Sequence, residues 1–290
     1  MKWVERLNAY EKLMRLDKPI GIFLLLWPTL WGIWIVSVGH PNWVILWIFI
    51  LGTVLMRSAG CILNDYADRN IDPLVARTKD RPLATGLVSP KEALVLASVL
   101  VLLAFLLILR LNKLTLFLSV AALFLAASYP YTKRFLAIPQ AYLGIAFGFG
   151  IPMAFAAYSD AVPPLAWILL VANVFWAIAY DTEYAMVDRE DDSKIGVKSS
   201  ALFFGQYDIA AILVSFGIML SILLYVGLKL NFGVAYYSGL VVALGMVFYQ
   251  YRLIKDRDPA KCFTAFRSNN WLGLAIFAGI AIHYASSGTQ

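Results

Sequence analysis

Asp65, Asp68 and Asp72 close a strongly apolar stretch of this chain, within the string Asn64-Asp65-Tyr66-Ala67-Asp68-Arg69-Asn70-Ile71-Asp72. On an ideal helix, at roughly 100° per residue, these carboxylates fall within an arc of roughly 60° and share one face. Carboxylate oxygens grouped in this way suit a divalent cation. A second acidic run, from Tyr180 to Asp192, follows another apolar stretch, and the same arithmetic puts Asp181, Asp188 and Asp192 on one face. Like charges four residues apart repel by roughly 0.2–0.5 kcal/mol, so two such runs call for a counter-charge. Each is followed by basic residues: Arg77, Lys79 and Arg81 after the first, Lys194 and Lys198 after the second. Carboxylates repel a diphosphate, and magnesium, held by one or two carboxylates and by phosphate oxygens, supplies the bridge between them. Acid and base together predict a magnesium–diphosphate site, where metal and cations stabilise a departing diphosphate as a carbon–oxygen bond breaks.

The elements that carry these runs belong in a membrane. With 61% hydrophobic and 14% charged residues and a mean hydropathy of +0.74, the chain is far from a soluble domain, in which about a quarter of residues are charged. The composition predicts an all-α polytopic membrane protein, a single domain over residues 1–290. Apolar blocks close to the ~20 residues that cross a bilayer predict nine transmembrane helices at 19–38, 43–64, 91–109, 113–130, 139–158, 163–184, 208–228, 233–251 and 271–287. Gly148, Gly150 and Pro152 predict a kink in the fifth. Residues 1–18 are basic, with Trp3, Leu7, Tyr10, Leu13 and Met14 at helical spacing, and predict an amphipathic helix at the membrane interface. The acidic runs follow the second and sixth spans, each with basic residues behind it, a weak pseudo-repeat of the two halves of the bundle.

Basic residues in short loops gather on the cytoplasmic side. The amino terminus and the loops after spans two, four, six and eight hold 20 of the 24 Lys and Arg residues. This predicts a cytoplasmic amino terminus, an external carboxyl terminus and both acidic runs facing the cytoplasm. The same placement assigns the basic balance to topology, and so argues against a nucleic-acid partner. Cys61 and Cys262 are expected to be reduced thiols, the first in a span and the second in a basic loop. Glu183, Glu190, Arg189 and Arg69 are expected on solvated faces, and the cations from Arg252 to Arg267 are explained by topology alone.

Arg57 is the one basic residue placed inside a span, where ionisable groups usually face an interior cavity. It lies seven positions before Asn64, roughly 20° away in azimuth and roughly 10 Å deeper. Two roles are open: binding an anionic group of a second substrate or of the diphosphate, or a structural ion pair with one of the acids. Of the aromatics near the runs, Tyr66, Tyr129, Tyr131, Tyr180 and Tyr184 could offer π faces to a carbocation.

The chain resembles the UbiA-type intramembrane aromatic prenyltransferases, a family with nine helices and Asp-rich motifs of the forms N-D-x-x-D-x-x-x-D and D-x-x-x-D. Asn64, Asp65, Asp68 and Asp72 match the first motif and Asp188 and Asp192 the second. The strings Asp17-Lys18-Pro19-Ile20-Gly21, Tyr129-Pro130-Tyr131-Thr132-Lys133-Arg134 and Tyr180-Asp181-Thr182-Glu183-Tyr184-Ala185 look like the bacterial branch that prenylates 4-hydroxybenzoate on the way to ubiquinone. The resemblance implies an inner-membrane enzyme acting on a polyprenyl diphosphate in the presence of lipid. It implies Mg2+ on Asp65, Asp68, Asp72, Asp188 and Asp192, with Asn64 orienting the first group. Lys133, Arg134 and Lys194 would contact diphosphate, and Asp191 or Asp181 would accept the proton released from the ring. Two alternatives stand beside it: prenylation of another acceptor such as a naphthoate, homogentisate or a porphyrin, and a cation-coupled transporter, whose acids would lie nearer the midplane.

Overall fold

The computed structural model of the protein describes residues 3–75 and 77–287. Lys2, counted above among the amino-terminal cations, lies outside them. Among the described residues the elements are α1 (Trp3–Met14), α2 (Ile20–Val36), α3 (Trp43–Ala67), α4 (Pro90–Ile108), α5 (Lys113–Thr132), α6 (Pro139–Gly148) and α7 (Gly150–Ser159). They continue through α8 (Pro164–Val187), α9 (Arg189–Ile195), α10 (Ser200–Phe204), α11 (Asp208–Lys229), α12 (Val234–Ile254) and α13 (Pro259–Ser287), with two short 3-10 turns between helices. The protein is an all-helical, multi-pass membrane protein.

Local sequence sets the helix ends. The Asn42 side chain accepts hydrogen bonds from the Val44 and Ile45 amides at the start of α3, and Asn112 accepts one from the Thr115 amide at the start of α5. Ser89 and Glu92 form a reciprocal capping box on α4, which opens with Pro90. The expected kink in the fifth span falls at Phe149, between α6 and α7. Gly148 and Gly150 lie against Asn173 and Thr29, too close for a side chain at either position.

Among the described residues seven stretches are long and apolar enough to cross a membrane: α3, α4, α5, α6 with α7, α8, the stretch from Ser200 to Lys229, and α12. Two of the nine expected spans fall outside that set. α2 is apolar but has only 17 residues, and α13 starts at Pro259, earlier than expected. Cys262 and Arg267, expected in a loop, are therefore helical, and Cys262 is a buried free thiol, as is Cys61.

α2, α7, α8, α11, α12 and α13 enclose the larger apolar core around Trp31, Trp176, Tyr180 and Tyr236. α1 lays Ala9 and Leu13 against Ala59 and Ile62 of α3 and Ala93 and Ala97 of α4, leaving Trp3, Val4 and Leu7 exposed. α4 packs on α3, while α5 packs on α3, α6 and α7.

Candidate active site

The first acidic run does not continue one helix. α3 ends at Ala67, Asp68 caps it, and Asp72 opens a 3-10 turn with Pro73 behind it. The regular spacing that sequence arithmetic assumed therefore ends at Ala67, before Asp68 and Asp72. What gathers the acids instead is arginine. Arg81 Nη1 donates to Asp65 Oδ1 at 3.0 Å and to both oxygens of Asp72 at 2.9 Å. Arg15, from the turn after α1, donates through Nη2 to the two oxygens of Asp65 at 2.9 and 3.0 Å. Lys133, at the end of α5, lies 3.4 Å from Asp68 Oδ2 and 3.3 Å from Asn64 Oδ1. Asn64 Nδ2 also donates to Asp68 Oδ2 at 3.4 Å.

The second run is broken as well. α8 stops at Val187, Asp188 stands between helices, and Asp192 lies in α9. Arg77 crosses from the first run to the second: its Nε and Nη2 clasp both oxygens of Asp188 at 2.5–3.1 Å, and its guanidinium sits 4.6 Å from the Tyr184 ring. Burial raises the Asp72 carboxyl above its ordinary range against the pull of Arg81. Burial, with Asp188 close by, pushes Asp192 up to about 6, against Lys133 and Arg77. In both, burial is the leading cause, since removal from water disfavours the charged carboxylate.

These groups form one end of a cavity of about 1610 Å³. Asn64, Asp65, Asp68, Asp72, Asp181, Asp188 and Asp192 line it, with Arg57, Arg77, Arg81, Lys133 and Arg134. The other end is apolar, walled by Ile48, Phe49, Gly52 and Met56 of α3, Val101, Phe105 and Ile108 of α4, and Ala122, Leu123 and Ala126 of α5. From Ile48 to Asp65 along α3 is roughly 25 Å at 1.5 Å per residue, so the cavity runs through most of a bilayer's apolar thickness. Asp191 and Lys194 are not among the lining residues.

Arg57 sits deeper, as its position on α3 predicts. Nη1 donates to Cys61 Sγ at 2.7 Å, and the guanidinium carbon is 5.5 Å from the Phe147 ring. Among the described residues it forms no ion pair, and its buried Nε has no hydrogen-bond partner. The structural ion pair left open by the sequence is therefore not made. Arg134 donates to the Ala67 carbonyl at 3.2 Å, capping the end of α3.

Two expectations of solvated charge are corrected. Glu183 is fully buried, and its carboxylate accepts from Asn269 Nδ2 at 2.9 Å. Asn269 Oδ1 in turn accepts from Trp176 Nε1 at 2.9 Å. Arg189 donates to the fully buried Asp208, which also holds Arg257, so the start of α9 and the turn between α12 and α13 are both tied to the start of α11. A burial pattern so specific to the tertiary packing leaves no periodicity to read.

Sequence reasoning gave Arg15 no site role and named Arg77 and Arg81 only together with Lys79, as the basic segment behind the first run, because loop cations taken singly are explained by topology. A signal was present: Arg77 and Arg81 stand four apart just behind the acids, and arginine rather than lysine suits two-pronged pairing with carboxylate or phosphate.

The residues present suit magnesium. Among the described residues no three acidic, imidazole or thiol groups stand close enough to enclose one ion. The donors are nonetheless all carboxylate oxygens, set in two groups across one cavity. Magnesium is commonly held by one or two carboxylates and completed by phosphate oxygens of the substrate, and such a split set serves that arrangement.

Solved structures share the fold. A UbiA homologue from Aeropyrum pernix K1 superposes with a TM-score of 0.79 at 24% identity, covering 90% of this chain and 97% of that one. A UbiA homologue from Archaeoglobus fulgidus, solved with GPP and Mg2+, gives a TM-score of 0.71 at 19% identity, covering 94% of this chain and 99% of that one. In sequence, a 4-hydroxybenzoate octaprenyltransferase of Thiobacillus denitrificans is 63% identical over 98% of this chain and 97% of its own length. One from Dechloromonas aromatica is 61% identical over 98% of this chain and 96% of its own. Residues 25–276 match the model of the UbiA prenyltransferase family, and over that length, with its two Asp-rich motifs on one intramembrane cavity, the chain belongs to that family.

Proposed function

We propose that the protein transfers a polyprenyl group from a polyprenyl diphosphate to the ring of 4-hydroxybenzoate, ortho to the hydroxyl, releasing diphosphate. The observation that carries this is the shape of the cavity: carboxylates and cations at one end, and an apolar shaft between α3, α4 and α5 at the other. A diphosphate needs the first and a long isoprenoid tail needs the second. The choice of acceptor rests on likeness to full-length relatives named for 4-hydroxybenzoate. The bundle is taken to have nine spans in two pseudo-repeated halves, with α2 and α13 completing the seven longer apolar stretches. The grouping of 20 of 24 basic residues supports a cytoplasmic amino terminus and site and an external carboxyl terminus, with α1 at the interface.

Asp65, Asp68, Asp72, Asp188 and Asp192 would hold magnesium, with Asn64 orienting the first group through Asp68. When bound, magnesium supplies charge stabilisation on the diphosphate oxygens. Lys133 and Arg134 meet the remaining phosphate charge as the carbon–oxygen bond opens. The allylic cation left behind faces Tyr129, Tyr180 and Tyr184, whose rings line the cavity and favour positive charge over their faces. Apolar walls keep water from trapping it. Arg57 binds the carboxylate of the acceptor, and the ring carbon ortho to the hydroxyl attacks. Of the two acids considered as proton acceptor, Asp181 lines the cavity and takes the ring proton.

A competition assay tests the acceptor. Equal concentrations of 4-hydroxybenzoate, a dihydroxynaphthoate and homogentisate are given to purified protein with labelled polyprenyl diphosphate and Mg2+. Label in the hydroxybenzoate product is expected, and preference for either rival overturns the acceptor assignment.

A further inference from the structure

Among the described residues that line the cavity, only Arg57 and Tyr180 hold a buried polar side-chain atom without a hydrogen-bond partner: Nε of the first and the hydroxyl of the second. Such atoms are uncommon, because leaving one unpaired works against folding, and each calls for a reason. Tyr180 is 1% exposed. Its ring is fixed edge to face by Trp176 at 5.5 Å and by Phe266 at 6.2 Å. A ring packed in this way cannot swing its hydroxyl out to water.

The two unpaired atoms belong to one level of the bundle. Arg57 lies eight residues before Asp65 on α3, and Tyr180 lies on α8 eight residues before Asp188. At 1.5 Å per residue, each is roughly 12 Å deeper than the acid that follows it. The Arg57 charge reaches the Tyr180 hydroxyl, as does that of Asp181. Asp181 is engaged by Gln140 and satisfies neither unpaired atom.

The missing partner can be read from the donors. Arg57 has no ion pair among the described residues, so the group that completes it is an anion. A guanidinium only donates hydrogen bonds, whereas a phenol can also donate, so one shared partner must accept from both. A diphosphate held among the acids lies too far above this level. A carboxylate offers two oxygens, one for each donor.

We infer that the Tyr180 hydroxyl is the second donor to the acceptor's carboxylate, holding one oxygen while Arg57 holds the other. The inference rests on the proposed seat of that carboxylate at Arg57. Donors on two helices fix the carboxylate in direction as well as in place, and so set which ring carbon faces the diphosphate end. Tyr180 thereby helps to select acceptors that carry a carboxylate, a part separate from that of its ring.

Steady-state kinetics on the full chain in nanodiscs, with Tyr180→Phe, tests this while keeping the ring and its packing. The KM for 4-hydroxybenzoate is expected to rise about 10- to 100-fold, the worth of a hydrogen bond to a charged group. The KM for the polyprenyl diphosphate and kcat should stay within about twofold, and the thermal midpoint should not fall, since no bond within the protein is lost. Phenol, which lacks the carboxylate, serves as a competing probe, and its inhibition constant should be the same in both proteins within about twofold. An acceptor KM raised by less than about threefold, or phenol weakened as much as hydroxybenzoate, overturns the inference. A rise in both KM values with a lowered midpoint, the mark of a structural hydroxyl, does so too. Arg57→Gln separates the underlying assignment. An unchanged acceptor KM there removes the carboxylate seat itself, whereas a raised one there with none in Tyr180→Phe removes the hydroxyl alone.

Discussion

Gly21→Ala is a perturbation aimed at one side chain. A Cβ at Gly21 would lie 2.5 Å from both Nε and Nη2 of Arg57 and 2.8 Å from its guanidinium carbon. Ordinary contact begins near 3.4 Å, so the guanidinium must withdraw by about 1 Å, a displacement of the size that costs ~100-fold when it misplaces a reacting partner. Leaving its seat forfeits the contact with Cys61 Sγ at 2.7 Å and the cation–π contact with Phe147 at 5.5 Å. A guanidinium displaced from that seat loses its charged hydrogen bonds to a bound carboxylate, about 2–3 kcal/mol. If Arg57 holds the acceptor's carboxylate, that loss falls on one substrate. The KM for 4-hydroxybenzoate should rise roughly 30- to 140-fold, while the KM for the polyprenyl diphosphate stays within about twofold. Steady-state kinetics with each substrate varied in turn reads both. An unchanged acceptor KM with a raised diphosphate KM would refute the placement of Arg57 and assign it to the other substrate.

Further predictions follow from the same contacts. Asp192→Asn removes an acid assigned to magnesium, and turnover at saturating substrates should fall by about 100-fold or more with little change in thermal midpoint. Asp208→Asn leaves Arg189 and Arg257 without the fully buried carboxylate they share. It should destabilise the protein by about 3 kcal/mol, read as an earlier unfolding transition in detergent. Glu183→Ala leaves the buried Asn269 amide with only its longer bonds to the Ala265 and Phe266 carbonyls and should cost about 1–3 kcal/mol, whereas Glu183→Gln should cost less. Ala122→Trp places a ring in the apolar shaft of α5. Competition between geranyl and longer polyprenyl diphosphates should then shift toward the shorter, while an unchanged preference would move the tail elsewhere.

Much of this architecture is legible in the chain because the bilayer enforces it. Apolar blocks must become helices where water is absent, and the caps at Asn42, Ser89 and Asn112 need only local sequence. The motif acids were legible for the same reason, being costly at the ends of apolar helices. Their convergence was not. Helical arithmetic put three carboxylates on one face, but α3 ends at Ala67 and arginines from distant segments bring the acids together instead. Arg15 and Asp65 are joined across fifty positions, and no period in the sequence records such a contact. Arg57 was found by its cost within a span, while its seat of Gly21, Cys61 and Phe147 depends on how α2 and α6 pack around α3. Glu183 looked like part of a charged helix end, and its burial against Asn269 follows from where α13 crosses α8.

The most direct test of the account is a product analysis. Purified protein in nanodiscs is incubated with a polyprenyl diphosphate and 4-hydroxybenzoate, with Mg2+ or with a chelator, and the extract is resolved by mass and by ring-proton NMR. Prenylated hydroxybenzoate, substituted ortho to the hydroxyl, is expected together with diphosphate, formed only with the metal. Absence of that product with Mg2+ present, or equal product in chelator, would contradict it.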